Sequence, residues 1–395
     1  MNDITEKNRT QNPLALNYKF EGRQVEIHPN ALPDDGGLFK DAIFIDEQPL
    51  AVRRRNGGGY YSAFNFYEAF ATLQNTANAA VVALDDSQLA PFLEGRVGKL
   101  PKGLPDLNNP GPLRVRKNIL RMTAEERDQF INAVLELKHR YNINVGCYDD
   151  MVRVHVDTMI DHSWSAHGNA LLPWHRLYVY HFESLLRALP GFENVTVPYW
   201  DWTQPLENGV LPFTDNFLGG GGEIPDNGEQ GNVLTGPFAY EIGRWNTFVR
   251  PTMFDPNPEP SLKRRRADQL FGQTIVQPTE LQRLLAIDRF VDQNNSGFNH
   301  QANQILHNPP HNVVGGDMGG DASPNDPIFW MHHCMLDKAW ADWQERHSDT
   351  PHYEEDPSDM HPIAPDAALE PWLEDIGRRV TSNDLVDYKR LYIYE

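Results

Sequence analysis

Fifteen histidines are spread unevenly along these 395 residues, and their grouping limits the available folds more than any other feature. His155, His167 and His175 share one window, and His307, His311, His332 and His333 share another. The first window spans a segment that reads as helix from Asp149 to Ile160, a loop carrying His167, and a second helix opening at Pro173, where proline is tolerated in the first turn. The second spans a helix candidate from Asn299 to Asn312 and another opening at Asp326-Pro327, an N-cap followed by an N1 proline, and running to about Arg346. On a helix, positions i and i+4 share one face, so His307 and His311 converge on one point. Pro309 and Pro310 lie between them, so that helix must be locally irregular or begin there. Adjacent helical residues point about 100° apart, so only one of His332 and His333 faces the same place. Each window therefore offers three imidazoles.

Imidazole suits copper, zinc, iron and nickel. Two all-histidine sites facing each other across a bundle would hold two metals. Copper fits best, because a Cu(I) pair can hand two electrons to dioxygen, whereas zinc binds the same nitrogens without redox chemistry. No His-Glu-x-x-His motif is present, and no carboxylate stands within the motifs as a base, which argues against a metal-dependent hydrolase. His28, His139, His162, His181, His300, His347, His352 and His361 read as ordinary surface or core histidines.

A chain this long exceeds one ordinary core, so two domains are expected. Residues 1–92 read as a small α+β unit. Tyr18 to Ile27, Ala42 to Asp46, Leu50 to Arg54 and Tyr60 to Phe66 are strand-like, Asn56-Gly57-Gly58-Gly59 is a turn, and Glu68 to Leu84 is helical. Residues 93–112 are rich in proline, glycine and base, and read as a linker. Residues 113–395 form the second unit. Within it, Thr123 and Glu126 make a capping box ahead of a helix with Phe130, Val134, Leu137 and Tyr141 on one face. Residues 203–260 read as long loops, and Leu391 to Tyr394 as a strand. The central helical segments predict a bundle.

The formal net charge of −20 argues against nucleic acid and against anionic membranes. Cys147 and Cys334 could pair but make no disulfide framework. The polar stretch from Met1 to Gln11 has no apolar core of a secretory signal, and no run is long and apolar enough to span a bilayer. A cytoplasmic protein is expected, or one exported without a visible signal. Oligomeric state is left open.

His167-Gly-Asn-Ala-Leu-Leu-Pro-Trp-His175-Arg176 resembles the first copper motif of tyrosinases, catechol oxidases and molluscan hemocyanins. Ser323-Pro-Asn-Asp326-Pro327-Ile-Phe-Trp-Met-His-His333 resembles the second, and Pro198-Tyr-Trp-Asp-Trp202 matches between them. The resemblance covers residues 113 to 346. It implies a mainly α fold, a four-helix bundle with long loops around a binuclear copper centre. It implies His155, His167 and His175 as ligands of one copper, and His307, His311 and His333 as ligands of the other. His333 is preferred to His332 because the family ligand lies seven residues after the Asp of Asp-Pro. Two copper ions as cofactor, dioxygen as cosubstrate, and oxidation of a small phenol or catechol to the quinone follow from the same likeness. A hemocyanin-like oxygen-binding protein is the alternative, and turnover distinguishes the two.

Several positions depart from the family pattern. His167 and His175 are one residue closer than in bacterial tyrosinases. Ser165 replaces a cysteine that some relatives link to a ligand histidine. The resemblance implies that Asn308 orients a water near the site, while Asn299 stands where bacterial relatives place a glutamate. An amide is a poor proton acceptor, so oxidation of catechols or o-aminophenols is expected ahead of hydroxylation of monophenols. Asn312 replaces an arginine found in some relatives, which removes an anchor for acidic phenols. Gly319, Gly320 and Asp321 are expected to border the substrate pocket, and Phe329 to pack beneath the metals. Finally, Leu38-Phe-Lys-Asp-Ala-Ile-Phe-Ile-Asp46, Arg53-Arg-Arg-Asn-Gly-Gly-Gly-Tyr60 and Ser62-Ala-Phe-Asn-Phe-Tyr67 resemble the caddie protein of Streptomyces tyrosinases. That likeness implies a caddie-like domain within the chain, with Tyr67 as a plug over the copper pair, and a latent enzyme.

Overall fold

The computed structural model describes residues 16–28, 39–46, 48–54, 60–62, 65–84, 100–139, 148–160, 168–207, 209–223, 230–243, 245–247, 261–292, 294–320, 322–359 and 362–395. They fall into two compact units, one within Met1–Gly98 and one spanning Lys99–Thr247 and Glu259–Glu395.

The first unit is a six-stranded antiparallel meander, β1 (Leu16–Phe20), β2 (Arg23–Ile27), β3 (Phe39–Ile45), β4 (Gln48–Arg54), β5 (Tyr60–Ser62) and β6 (Asn65–Phe70), followed by helix α1 (Leu73–Leu84). Strand side chains alternate between faces, and the register lines up Ile27, Ile43 and Leu50 as neighbours, with Val25 beside Ile45. These residues and Val52 are buried, as are Leu73, Ala77, Ala80 and Val81 of α1. Two strand expectations and one helix expectation change. Tyr18 to Ile27 is two strands, because Glu21 and Gly22 both take positive φ (44° and 80°) and close a tight hairpin. Tyr60 to Phe66 is likewise divided between β5 and β6, with Ser62 opposite Asn65. Glu68 to Phe70 is strand rather than helix, because it pairs with β5. The Thr72 hydroxyl then accepts from the Asn75 N–H at 3.1 Å and starts α1 there.

The second unit is built on α2 (Ala124–His139), α3 (Tyr148–Ile160), α4 (Leu171–Arg187) and a broken helix made of α8 (Phe298–Gln301), a π-helical turn (Ala302–His307) and α9 (Asn308–Val314). The long α10 (Ile328–Arg346) completes the set. Short elements join them. They are β7 (Arg114–Arg116), β8 (Gln230–Asn232), α5 (Tyr240–Gly243), β9 (Lys263–Arg265), α6 (Ala267–Leu270), α7 (Pro278–Leu284), α11 (Trp372–Ile376), α12 (Ser382–Val386) and β10 (Tyr392–Tyr394). The capping box is present in both directions. Thr123 N–H donates to Glu126 at 2.9 Å and Glu126 N–H to the Thr123 hydroxyl at 3.2 Å. Phe130, Val134 and Leu137 are buried, and Tyr141 lies outside the described residues. Helix α4 begins two residues before Pro173, and α10 one residue later than expected, with Asp326 still accepting from the Ile328 N–H at 3.2 Å. Residues 100–112 pack against this unit. Leu100, Leu104 and Leu107 are buried, and the Leu100 N–H donates to Asp375.

Helices α4 and α10 form the spine. His175 faces His333 and Phe182 faces Trp330, each pair stacked at 3.8 Å, so the two helices run antiparallel. Beside them lies a buried ion network. Arg176 Nε donates to Asp337 at 2.5 Å, Arg116 bridges Glu183 and Asp337, and Arg114 donates to Glu183 at 2.8 Å. Tyr392 and Tyr394, on β10 beside β7, both donate to Asp337 at 2.5 Å. The arginines outweigh the burial of Glu183 and hold its carboxyl below the ordinary value. Removing one partner of such a group strands the others without solvent. Asp337→Ala is expected to lower stability by roughly 3–5 kcal/mol, read as the midpoint of urea unfolding. A midpoint equal to wild type would contradict this account.

Candidate metal centre

The imidazoles meet because five helical pieces present them to one interior point. His155 comes from α3, His175 from α4, His307 from the π turn, His311 from α9, and His332 and His333 from α10. His155, His175, His307, His332 and His333 are buried. Phe329 packs against His333 with ring centroids 4.2 Å apart, against His155 at 5.1 Å and His175 at 5.9 Å. Ring centroids lie 5.6 Å apart for His155–His175, 6.1 Å for His175–His307 and 4.7 Å for His307–His311. The donor nitrogens of His307, His311, His332 and His333 lie within 4.8 Å of one another. His167 lies outside the described residues, and so does Asp321.

The hydrogen bonds sort the nitrogens. His175 Nδ1 meets the Leu171 carbonyl at 3.0 Å, and His311 Nδ1 the Met318 carbonyl at 2.7 Å. His307 Nδ1 meets the side-chain oxygens of Asn303 at 3.1 Å and Asn308 at 3.0 Å. A carbonyl only accepts, so the proton sits on Nδ1 and the lone pair on Nε2. His332 is set the other way. Trp202 Nε1 donates to its Nδ1 at 3.2 Å, which places the proton on Nε2. Burial pushes His311 down to about 4 against the pull of the Met318 carbonyl, and burial followed by the neighbouring imidazoles pushes His333 well below its ordinary value. His332 is also lowered well below it, by burial and then His311. These rings are therefore neutral at pH 7, the form that ligates metal.

The donor set fits a soft-to-borderline transition metal. His311 Nε2 and His333 Nε2 face each other at 3.3 Å, and His311 Nε2 carries a lone pair, so a shared cation suits the contact. Two nitrogens this far apart and roughly 2.0 Å from one ion, the zinc–imidazole length, subtend about 110°, close to tetrahedral.

The remaining expected residues divide. Asn308 touches His307 through its side chain. Asn299 is buried, and its amide donates to the carbonyls of Gly168 at 3.4 Å and Asn169 at 3.3 Å. Asn312 is exposed, and its carbonyl accepts from Arg265 at 2.9 Å. Gly319 and Gly320 are exposed, and an added Cβ at either would meet nothing within 4 Å. Tyr67 belongs to β6, and its side chain lies outside the described residues. Cys334 is a buried free thiol with its pKa raised to about 12, burial being the main cause. No described helix is long and apolar enough to cross a membrane.

Sequence reasoning missed Asn169. Its side-chain oxygen accepts from Tyr353 Oη at 3.2 Å, Asp356 N–H at 3.1 Å and Ile363 N–H at 3.2 Å, and its amide donates to the Glu354 carbonyl at 3.0 Å. It pins residues 353–356 and Ile363 to the turn at Gly168–Ala170. The sequence signal was only its place inside the first motif.

A cage of imidazoles on helical scaffolding is the donor set of a metalloprotein. A family model described as the common central domain of tyrosinase matches residues 145–346, and one described as the tyrosinase co-factor MelC1 matches residues 3–92. Grixazone synthase of Streptomyces griseus is 34% identical over 325 residues, 72% of this chain and 99% of that protein. A tyrosinase of Streptomyces antibioticus is 33% identical over 298 residues, 72% of this chain and 100% of that protein. A recombinant mushroom tyrosinase structure shares the fold, with a TM-score of 0.50 at 17% identity, covering 74% of this chain and 62% of that one. The chain belongs to the tyrosinase family and carries a MelC1-type caddie domain at its N-terminal end. Its cofactor is a pair of copper ions and its chemistry is the oxidation of phenols with dioxygen.

Asn169→Ala deletes four hydrogen bonds at one buried point. It is expected to cost about 2 kcal/mol or more, and to speed amide hydrogen exchange across residues 353–363 well beyond the rest of the unit. Uniform exchange in variant and wild type would contradict the role given to Asn169.

Proposed function

We propose that this chain is a catechol or o-aminophenol oxidase, held latent by its own N-terminal domain. His155, His167 and His175 would hold one copper, and His307, His311 and His333 the other. The observation that carries the assignment is the opposed pair of Nε2 atoms on His311 and His333, with each Nδ1 proton of His175, His307 and His311 taken by an oxygen. His332 is left out because Trp202 occupies its Nδ1 and fixes the proton on Nε2. The copper pair supplies two-electron transfer to dioxygen when bound.

The chain's own residues do the rest. Phe329 and the surrounding aromatic rings keep water from the imidazoles. Asn308 holds the His307 ring in one tautomer, which sets the direction of its lone pair. Asn299 spends its amide N–H on the carbonyls of residues 168 and 169 and offers no carboxylate to take a proton from a monophenol. A catechol or an o-aminophenol loses its proton more readily and makes less demand on such a base. Gly319, Gly320 and Asp321 would border the substrate's way in.

The division into a caddie-like domain at 1–92, a linker at 93–112 and an oxidase domain at 113–395 follows the same reading. A plug tethered through that linker acts at high effective concentration, and Tyr67 is the residue proposed to sit over the copper pair. A small phenolic substrate and the chain's own domain are then its partners, with no nucleic acid or membrane involved.

Metal analysis tests the ligand set. About two coppers per chain are expected in wild type and in His332→Gln, and about one in His333→Gln. Equal loss in both variants would sink the distinction drawn between the adjacent histidines. For latency, trypsin cleavage between Arg96 and Lys102 should raise oxygen consumption with a catechol by tenfold or more on release of a plug at millimolar effective concentration. Clean release of the N-terminal piece without a gain would remove the latency proposal and leave the oxidase reading intact.

A further inference from the structure

Lys263-Arg264-Arg265-Arg266 is the longest run of bases in a chain of net charge −20. Arg264 is buried and clamps Asp326, and Arg266 pairs with Asp268. No carboxylate pairs with Arg265 among the described residues. Its Nη2 donates to the carbonyl of Asn312, the residue after His311, at 2.9 Å. Its Nε is buried and has no hydrogen-bond partner among the described residues. The side chain is held in place against Gly315, where an added Cβ would lie 3.5 Å from Arg265 Cβ and 3.6 Å from Nε. On the neighbouring turn, Asp317 is engaged by the Lys263 N–H at 2.7 Å.

A guanidinium offers five N–H donors in a planar fork that matches a carboxylate. At Arg265 one is spent on a backbone carbonyl, and among the described residues no carboxylate offsets the positive charge. That bond ties it to α9, and the turn that follows α9 carries the exposed Gly319 and Gly320. We propose that Arg265 is the specificity residue for an anionic substituent, so that ring carboxylates on catechols and o-aminophenols are preferred to neutral rings. A cation from β9 would thus occupy the role that Asn312 cannot fill. In a chain this acidic, an anionic substrate is repelled at long range, and a fixed local cation offsets that. This inference rests on the oxidase reading above.

The test is steady-state oxygen consumption by the copper-loaded full chain, before and after linker cleavage, with catechol and with 3,4-dihydroxybenzoate. Arg265→Gln should raise KM for 3,4-dihydroxybenzoate by roughly tenfold or more, the scale of one charge-assisted contact, and leave copper content and the KM for catechol unchanged. Arg265→Lys should recover part of the loss, because charge remains while the fork is gone. Benzoate, titrated calorimetrically into copper-loaded protein, should bind wild type and not Arg265→Gln. Equal KM shifts for both substrates, or none, would overturn the inference while leaving the oxidase intact. Failure of any substrate to turn over, cleaved or not, would count against the oxidase reading instead.

Discussion

The antiparallel seam between α4 and α10 is the constraint on which the rest depends. Neighbouring residues on α4 have opposite duties, because they point about 100° apart. His175 stacks on His333, while Arg176 turns aside to Asp337, one turn further along α10. The ion pair is walled by aromatic rings, with the Arg176 guanidinium 3.7 Å from the Trp340 ring centroid and the Arg116 guanidinium 3.7 Å from that of Tyr392. Buried charges gain little net stability over apolar packing, but a broken set is costly. Such a network therefore punishes any sliding of one helix past the other, and sliding is what would separate the two imidazoles. The parallel pairing of β10 with β7 brings Tyr392 and Tyr394 onto the same carboxylate, so the C-terminal end closes the network.

Proton placement is the second layer of control. Four imidazoles crowded in a dry interior would be interchangeable if left alone, since each has two nitrogens that can donate or accept. Oxygens from Leu171, Met318, Asn303 and Asn308 take the Nδ1 protons, and the Trp202 indole does the reverse at His332. Two adjacent histidines on one helix are thereby given different chemistry by groups far away in sequence. Burial keeps His311, His332 and His333 neutral, the form that ligates metal.

Much of the centre was legible because helical spacing and side-chain chemistry are local. The two histidine windows, the capping box at Thr123 and the breaks near proline follow from rules that act over four residues. What escaped was set by distant partners. Glu68 to Phe70 carries no strong strand signal, and pairing with β5 decides it. Asn169 reads as one more polar residue until Tyr353, Asp356 and Ile363 all donate to its side-chain oxygen. Arg265 reads as part of a solvated basic run, and only the fold shows that Arg264 and Arg266 are paired with carboxylates while Arg265 has none among the described residues. His332 and His333 could be told apart in the sequence only through a family resemblance, while in the structure a single indole N–H separates them.

The broken helix carrying His307 and His311 shows why local irregularity belongs at such a centre. Pro309 and Pro310 withhold the N–H groups that would bond the carbonyls of Ile305 and Leu306, and a regular helix there would lose two rungs and gain two clashes. The wider π turn at Ala302–His307 absorbs the conflict. At the other end, Gly315 and Gly316 take positive φ (59° and 57°), and a Cβ on Gly316 would lie 2.0 Å from the Lys263 carbonyl oxygen. Only glycine permits that approach. The sharp exit lets the chain double back so that Met318 offers its carbonyl to His311, while β9 lies alongside with Arg265 pointing at Asn312. A straight, well-capped helix would be more stable in isolation. It would leave His311 without the acceptor that fixes its proton and leave β9 no room to approach. Departures from ideal helix geometry at both ends of these few residues are thus what gives the His311 ring a defined direction on the face it shares with His307.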